Sequence, residues 1–86
     1  MITVDWHAKE GWSKPQLAPF EDLKLHPFSS SLHYGIQCFE GMKAYRNDKG
    51  EVRVFRPDCN MRRFKRSSNR LTLPDFDGHE VMALLD

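Results

Sequence analysis

Two stretches of this 86-residue chain hold the side chains best suited to chemistry. "RRFKRSSNR", residues 62–70, places Arg62, Arg63, Lys65, Arg66 and Arg70 within nine positions. "LHYGIQCFEGMKAYR", residues 32–46, sets Tyr34, Phe39 and Tyr45 around Cys38 and a Glu40-Gly41 step. An arginine near a helix start holds an anion well, because the guanidinium fork and the free backbone N–H groups act together on one phosphate. A tyrosine hydroxyl beside a phenyl ring suits a ligand with one polar and one apolar end.

Each stretch also has a plainer reading. A basic run is often only a solvated helix face, and its arginines would also suit nucleic-acid phosphates. Tyr34, Phe39 and Tyr45 would serve equally as the core of a small sheet. Ser29-Ser30-Ser31 reads as loop rather than as a nucleophile, since no base stands at a defined spacing from it. Paired carboxylates, a serine–histidine–acid arrangement and a glycine-rich phosphate loop do not stand out. His7, His26, His33 and His79 include no i, i+4 pair, so no metal site is expected. Cys38 and Cys59 make no CxxC motif and are expected as reduced thiols inside a cell.

The charge pattern bears on the basic stretch. The net charge is +1, yet residues 41–70 hold ten Lys/Arg against three Asp/Glu. Residues 1–40 hold three against five, and residues 71–86 none against four. An anion is therefore drawn to the middle third.

The elements that must position these side chains follow from pattern. "MITVDW" reads as a strand, with β-branched Ile2, Thr3 and Val4. Residues 7–31 carry Gly11, Pro15, Pro19 and Pro27 and read as extended and irregular, with a strand conceivable at Leu23 to His26. "GMKAYRNDKGEVRVFRP" alternates along two arms joined by Asn47-Asp48-Lys49-Gly50, the pattern of a β-hairpin. Pro57 and Asp58 suit a helix start, with Asp58 as cap and Met61, Phe64, Ser68 and Leu71 on one face. Leu73-Pro74 should end that helix, and Asp77 should begin another bearing Val81, Met82, Leu84 and Leu85. That apolar face calls for a partner surface. The expected class is α+β, antiparallel strands with a hairpin followed by two helices. The chain is long enough for one domain, and its longest apolar run falls short of the roughly 20 residues that span a bilayer.

Beyond pattern, the wording is specific. "ITVDW", "LHPFSSSLHY", "CFEGMKAYR" and "FRPDCNMRRFKRS", in this order, resemble the branched-chain amino acid aminotransferases. "GWSKPQLAPFEDLKLHP" and "LTLPDFDGHE" are similar to the eukaryotic members. The resemblance runs from Ile2 to about Leu85. It implies a pyridoxal 5'-phosphate enzyme of fold type IV, with residues 1–86 as most of the small N-terminal domain and the large catalytic domain outside this chain. The family moves the amino group of leucine, isoleucine or valine to 2-oxoglutarate and works as a homodimer in the cytoplasm or mitochondrion, the cytoplasm being favoured here.

Carried over residue by residue, the resemblance makes Arg63 the cofactor-phosphate arginine. It makes Tyr34 a substrate-pocket tyrosine near the carboxylate end, and Phe39 a lining of the aliphatic side-chain pocket. Arg62, Lys65 and Arg66 inherit no role and keep the solvated-face reading. The family's Schiff-base lysine lies downstream, and none of Lys9, Lys14, Lys24, Lys43, Lys49 or Lys65 has a matching context. No catalytic residue is therefore assigned, and the chain is not expected to transaminate alone. Within the same fold type, D-amino acid aminotransferase and aminodeoxychorismate lyase are the nearest alternatives; a nucleic-acid or membrane partner is not expected.

Overall fold

A computed structural model describes residues 1–85; Asp86, the last residue of the expected 1–86 unit, lies outside the described residues. The architecture is α+β, with antiparallel hairpins and a few helices, in keeping with the sequence.

The opening residues form the first arm of a bent hairpin rather than a lone strand. β1 (Ile2–Thr3) pairs antiparallel with β4 (Gln16–Leu17), and β2 (Trp6–His7) with β3 (Gly11–Trp12). Ile2 faces Leu17 but Trp6 faces Trp12, so the return arm carries one residue more than the first. That extra residue is a bulge, and it falls beside Pro15, which has no N–H to give to a ladder. Ser13 bridges the gap. Its N–H donates to Asp5 O at 2.7 Å, and its Oγ accepts from Asp5 N at 2.9 Å. The turn closes when Glu10 N donates to His7 O at 3.2 Å, and Gly11 enters the return arm at φ +73°, where a side chain would be strained.

The expectation of a mainly extended and irregular segment over residues 7–31 is thus corrected at His7, Gly11–Trp12 and Gln16–Leu17. The proposed strand at Leu23 to His26 does not form either. Leu23 and Leu25 are exposed, and no neighbouring strand accepts their backbone. The serine triplet is not loop: Ser29 is the N-cap of α1 (Ser30–Tyr34), and its carbonyl accepts from Leu32 N and His33 N. Gly35 ends this helix in the left-handed region at φ +64°. A single turn is too short to leave a periodic signal.

The central hairpin forms as expected. β5 (Ala44–Arg46) pairs with β6 (Val52–Val54), Tyr45 facing Arg53. Asn47 organises the turn, its Oδ1 accepting from Lys49 N at 3.0 Å and Glu51 N at 2.9 Å. Every residue of both strands is exposed, so this hairpin is held by its backbone ladder and turn rather than by a covered face.

α2 (Pro57–Arg70) starts two residues earlier than a cap at Asp58 requires. Arg56 occupies the N-cap in the left-handed region, Pro57 stands at the first helical position, and Asp58 lies in the first turn, where its charge suits the helix dipole. The helix ends at Arg70, before Leu73-Pro74. Thr72 at φ +55° turns the chain, Leu73 N donates to Ser68 O and Thr72 N to Asn69 O, which is a Schellman closure. α3 (Gly78–Ala83) begins as expected at Asp77, whose carboxylate accepts from His79 N at 2.8 Å.

The core sits where α2 meets α3. Met61 is 5% exposed and is joined in burial only by Ser68 among the described residues. Gly78 lies against Met61 so closely that a Cβ there would come within 2.6 Å of Met61 Cγ. Phe64 and Phe76 pack with ring centroids 5.2 Å apart. Lys65 sits over Phe76 and pairs with Asp75 at 3.3 Å, which corrects its assignment to a wholly solvated face. Trp12 Nε1 donates to Asp75 O at 2.8 Å, tying the N-terminal hairpin to the α2–α3 connection.

Candidate functional site

Arg63 lies in the second turn of α2, one turn beyond Asn60, so the two side chains share a helix face. Both reach the same acid. Arg63 Nε donates to Glu40 Oε2 at 2.8 Å while Nη2 donates to Oε1. Asn60 Nδ2 donates to Glu40 Oε1 at 2.9 Å and to the Gly41 carbonyl at 2.7 Å. Gly41 N adds a further bond to Oε1 at 3.2 Å. The Glu40 side chain is only 7% exposed, whereas Arg63 is 57% exposed.

The electrostatics follow from that geometry. The bond from Arg63 holds the Glu40 carboxyl down at about 2, with Asn60 and Gly41 acting in the same direction against the cost of burial. The bond to Glu40 raises Arg63 further above its already high value. Both groups are charged at neutral pH. Because the guanidinium is gripped by its Nε–Nη2 edge, Nη1 and the second proton of Nη2 point away from the acid. A phosphate approaching from solvent meets those donors.

The other two residues singled out in the sequence stand apart from this ion pair. Tyr34 ends α1 and is 81% exposed; its ring lies edge-on to His33, and its hydroxyl makes no hydrogen bond among the described residues. Phe39 is 91% exposed and directly precedes Glu40, so the carboxylate that anchors the loop also fixes the backbone beside it. Arg62 is the solvated residue expected, with a long contact of 3.9 Å to Asp58. Glu40 and Asn60 carry the site's organisation, yet sequence reasoning assigned neither a role. The available signal was the three-residue spacing of Asn60 and Arg63 and an acid held between Phe39 and glycine.

A separate apolar cavity of about 850 Å³ opens between the N-terminal hairpin and α2–α3, walled by Trp6, Trp12, Phe64, Phe76, Val81 and Leu84 among others. Gln37 and Cys38 reach it; Tyr34 and Phe39 do not. Cys38 and Cys59 are both free, and no cluster of metal-ligating side chains occurs among the described residues. No described helix is long and apolar enough to cross a membrane.

Fold and site together define a small α+β unit that offers a buttressed arginine beside a loop bearing the exposed ring of Phe39. Curated relatives show what that unit is similar to. The chain is 50% identical over 82 residues to the cytosolic branched-chain-amino-acid aminotransferase of Rattus norvegicus, matching 95% of this chain and 20% of that protein. It is 51% identical over 82 residues to the mitochondrial form from the same species, matching 95% of this chain and 21% of that protein. Against the cytosolic form of Caenorhabditis elegans it is 48% identical over 85 residues, 99% of this chain and 20% of that protein. No protein-family model matches the chain. The resemblance carried by the quoted motifs is thus borne out along nearly the whole chain: its sequence matches one segment of proteins named branched-chain-amino-acid aminotransferase. The chain spans about a fifth of the length of these curated relatives.

Proposed function

We propose that these residues are part of an aminotransferase that moves the amino group of leucine, isoleucine or valine to 2-oxoglutarate with pyridoxal 5'-phosphate as cofactor. Residues 1–86 would make up most of its small N-terminal domain, supplying the arginine that grips the cofactor phosphate and part of the substrate wall. The catalytic lysine comes from the large domain. The observation that carries this reading is the identity of about half the residues, over 95% of the chain, with enzymes of that name.

The chain's own residues fit the cofactor's phosphate. Arg63 keeps two N–H directions open on its outer edge while Glu40 fixes the inner one, so a dianion meets a guanidinium whose orientation is already set. When bound, the cofactor supplies the electron sink that makes the substrate Cα–H acidic. Phe39 offers an exposed ring to an aliphatic side chain, and Tyr34 an unengaged hydroxyl to the substrate carboxylate. A methylene more or less against such a wall changes binding by only about 1–3 kcal/mol, which suits an enzyme that takes three branched substrates. On this reading the protein is a homodimer that works inside the cell, in one of the two compartments in its relatives' names.

The test is a steady-state comparison in the polypeptide that carries these residues, with 2-oxoglutarate as acceptor. L-leucine, L-isoleucine and L-valine should be used with kcat/KM values within roughly a few hundredfold of one another, the ceiling set by a methylene. Faster turnover of D-alanine than of all three would overturn the assignment in favour of another fold type IV enzyme.

A further inference from the structure

Residues 35–41, which carry Phe39, lie in neither helix nor strand. Among the described residues, every hydrogen bond that ties them to another part of the chain ends on Glu40 or Gly41 and comes from Asn60 or Arg63. Glu40 is therefore the joint between this loop and α2. A carboxylate with so little solvent contact is costly unless its lone pairs are met, and here Arg63, Asn60 and Gly41 N all donate to it.

An acid on a phosphate arginine can act in two opposite ways. As a competitor, it occupies the guanidinium until the phosphate displaces it. As a support, it pins one edge so that the other is presented. A competitor must be free to swing away, whereas Glu40 is 7% exposed and is held by Asn60 and Gly41 N independently of Arg63. Its bonds also take the Nε–Nη2 edge and leave the outer edge of the fork open. An unsupported arginine would lose much of its rotamer freedom on gripping a phosphate, a cost that prior fixing removes.

We propose that Glu40, buttressed by Asn60, is a positioning residue that presents the outer edge of Arg63 to the cofactor phosphate. This rests on the phosphate role proposed for Arg63. The same contacts join the phosphate arginine to the loop bearing Phe39, so cofactor grip and substrate wall share one anchor.

The test is a double-mutant cycle in the polypeptide that carries these residues, reading equilibrium affinity for pyridoxal phosphate and for pyridoxal, which lacks the phosphate. Glu40→Gln should weaken pyridoxal phosphate binding by roughly tenfold or more, the scale of a lost hydrogen bond to a charged group, and leave pyridoxal binding unchanged. In an Arg63→Ala background it should have no further effect. Tighter or unchanged pyridoxal phosphate binding in Glu40→Gln overturns the proposal, and so does an equal loss for both ligands, which marks general structural damage. If Arg63→Ala itself leaves pyridoxal phosphate affinity intact, the phosphate role of Arg63 is what fails. Should Glu40→Gln not fold, Asn60→Ala removes the buttress and should give the same phosphate-selective loss in smaller measure; equal affinities for wild type and variant would contradict it.

Discussion

Arg63 on α2 and Glu40, 23 residues earlier in the loop before β5, meet in a two-point charge-assisted contact with Nε to Oε2 at 2.8 Å. One partner is nearly enclosed and the other largely open. The enclosed acid gives the open arginine a fixed direction, and the loop that carries the acid is fixed in return.

That contact has a signature in pH. Glu40 titrates at about 2 in the folded chain against its ordinary 4.5, so its ionised form favours folding. The contribution is complete above about pH 4.5 and disappears as pH falls through about 2. Urea unfolding at pH 6 should find Glu40→Gln less stable than the parent protein, and the gap should close progressively below pH 4.5. A gap that is constant from pH 6 down to the acid limit would show that the Glu40 charge contributes nothing.

The α2–α3 contact depends on a missing side chain. With only 2.6 Å available between a Cβ at position 78 and Met61 Cγ, Gly78→Ala must push the most enclosed apolar residue out of place. Overpacking of this kind costs about 1–3 kcal/mol, to be read from the shift in denaturation midpoint. The ordinary helical gain from Gly to Ala runs the other way and is smaller, so a stabilised variant would mean that Met61 gives way freely.

Phe39 separates binding from folding. Its ring is 91% exposed, so Phe39→Ala should change stability by no more than about 0.5 kcal/mol. In its proposed role as a wall of the substrate pocket, its loss should lower kcat/KM for L-leucine by roughly tenfold, the scale of lost apolar contact. Unchanged kinetics with all three branched substrates would remove it from that wall.

Legibility in the sequence tracked the length and regularity of each element. The β5–β6 hairpin was readable because its turn residues and alternation are local. α2 was readable because its fourteen residues, from Pro57 to Arg70, give several turns of apolar spacing. The bent N-terminal hairpin was not, because paired runs of two residues interrupted by Pro15 leave no alternation to detect. The boundary at Arg56 was missed because a left-handed arginine replaces the side-chain cap that the sequence rules seek. At the site, Arg63 was named through resemblance, while Glu40 and Asn60 escaped. A contact across 23 positions leaves no trace in local pattern, and one acid among twelve in the chain does not announce its partner.

The most direct test of the account concerns Arg63 itself. Titrating pyridoxal phosphate into the polypeptide that carries these residues, with Arg63 replaced by Ala or Lys, separates the guanidinium fork from simple charge. The expected result is a loss of roughly tenfold or more in affinity for Arg63→Ala and a clear, smaller loss for Arg63→Lys, with pyridoxal binding unchanged in both. Pyridoxal phosphate affinities equal to the parent's in both variants would contradict the account.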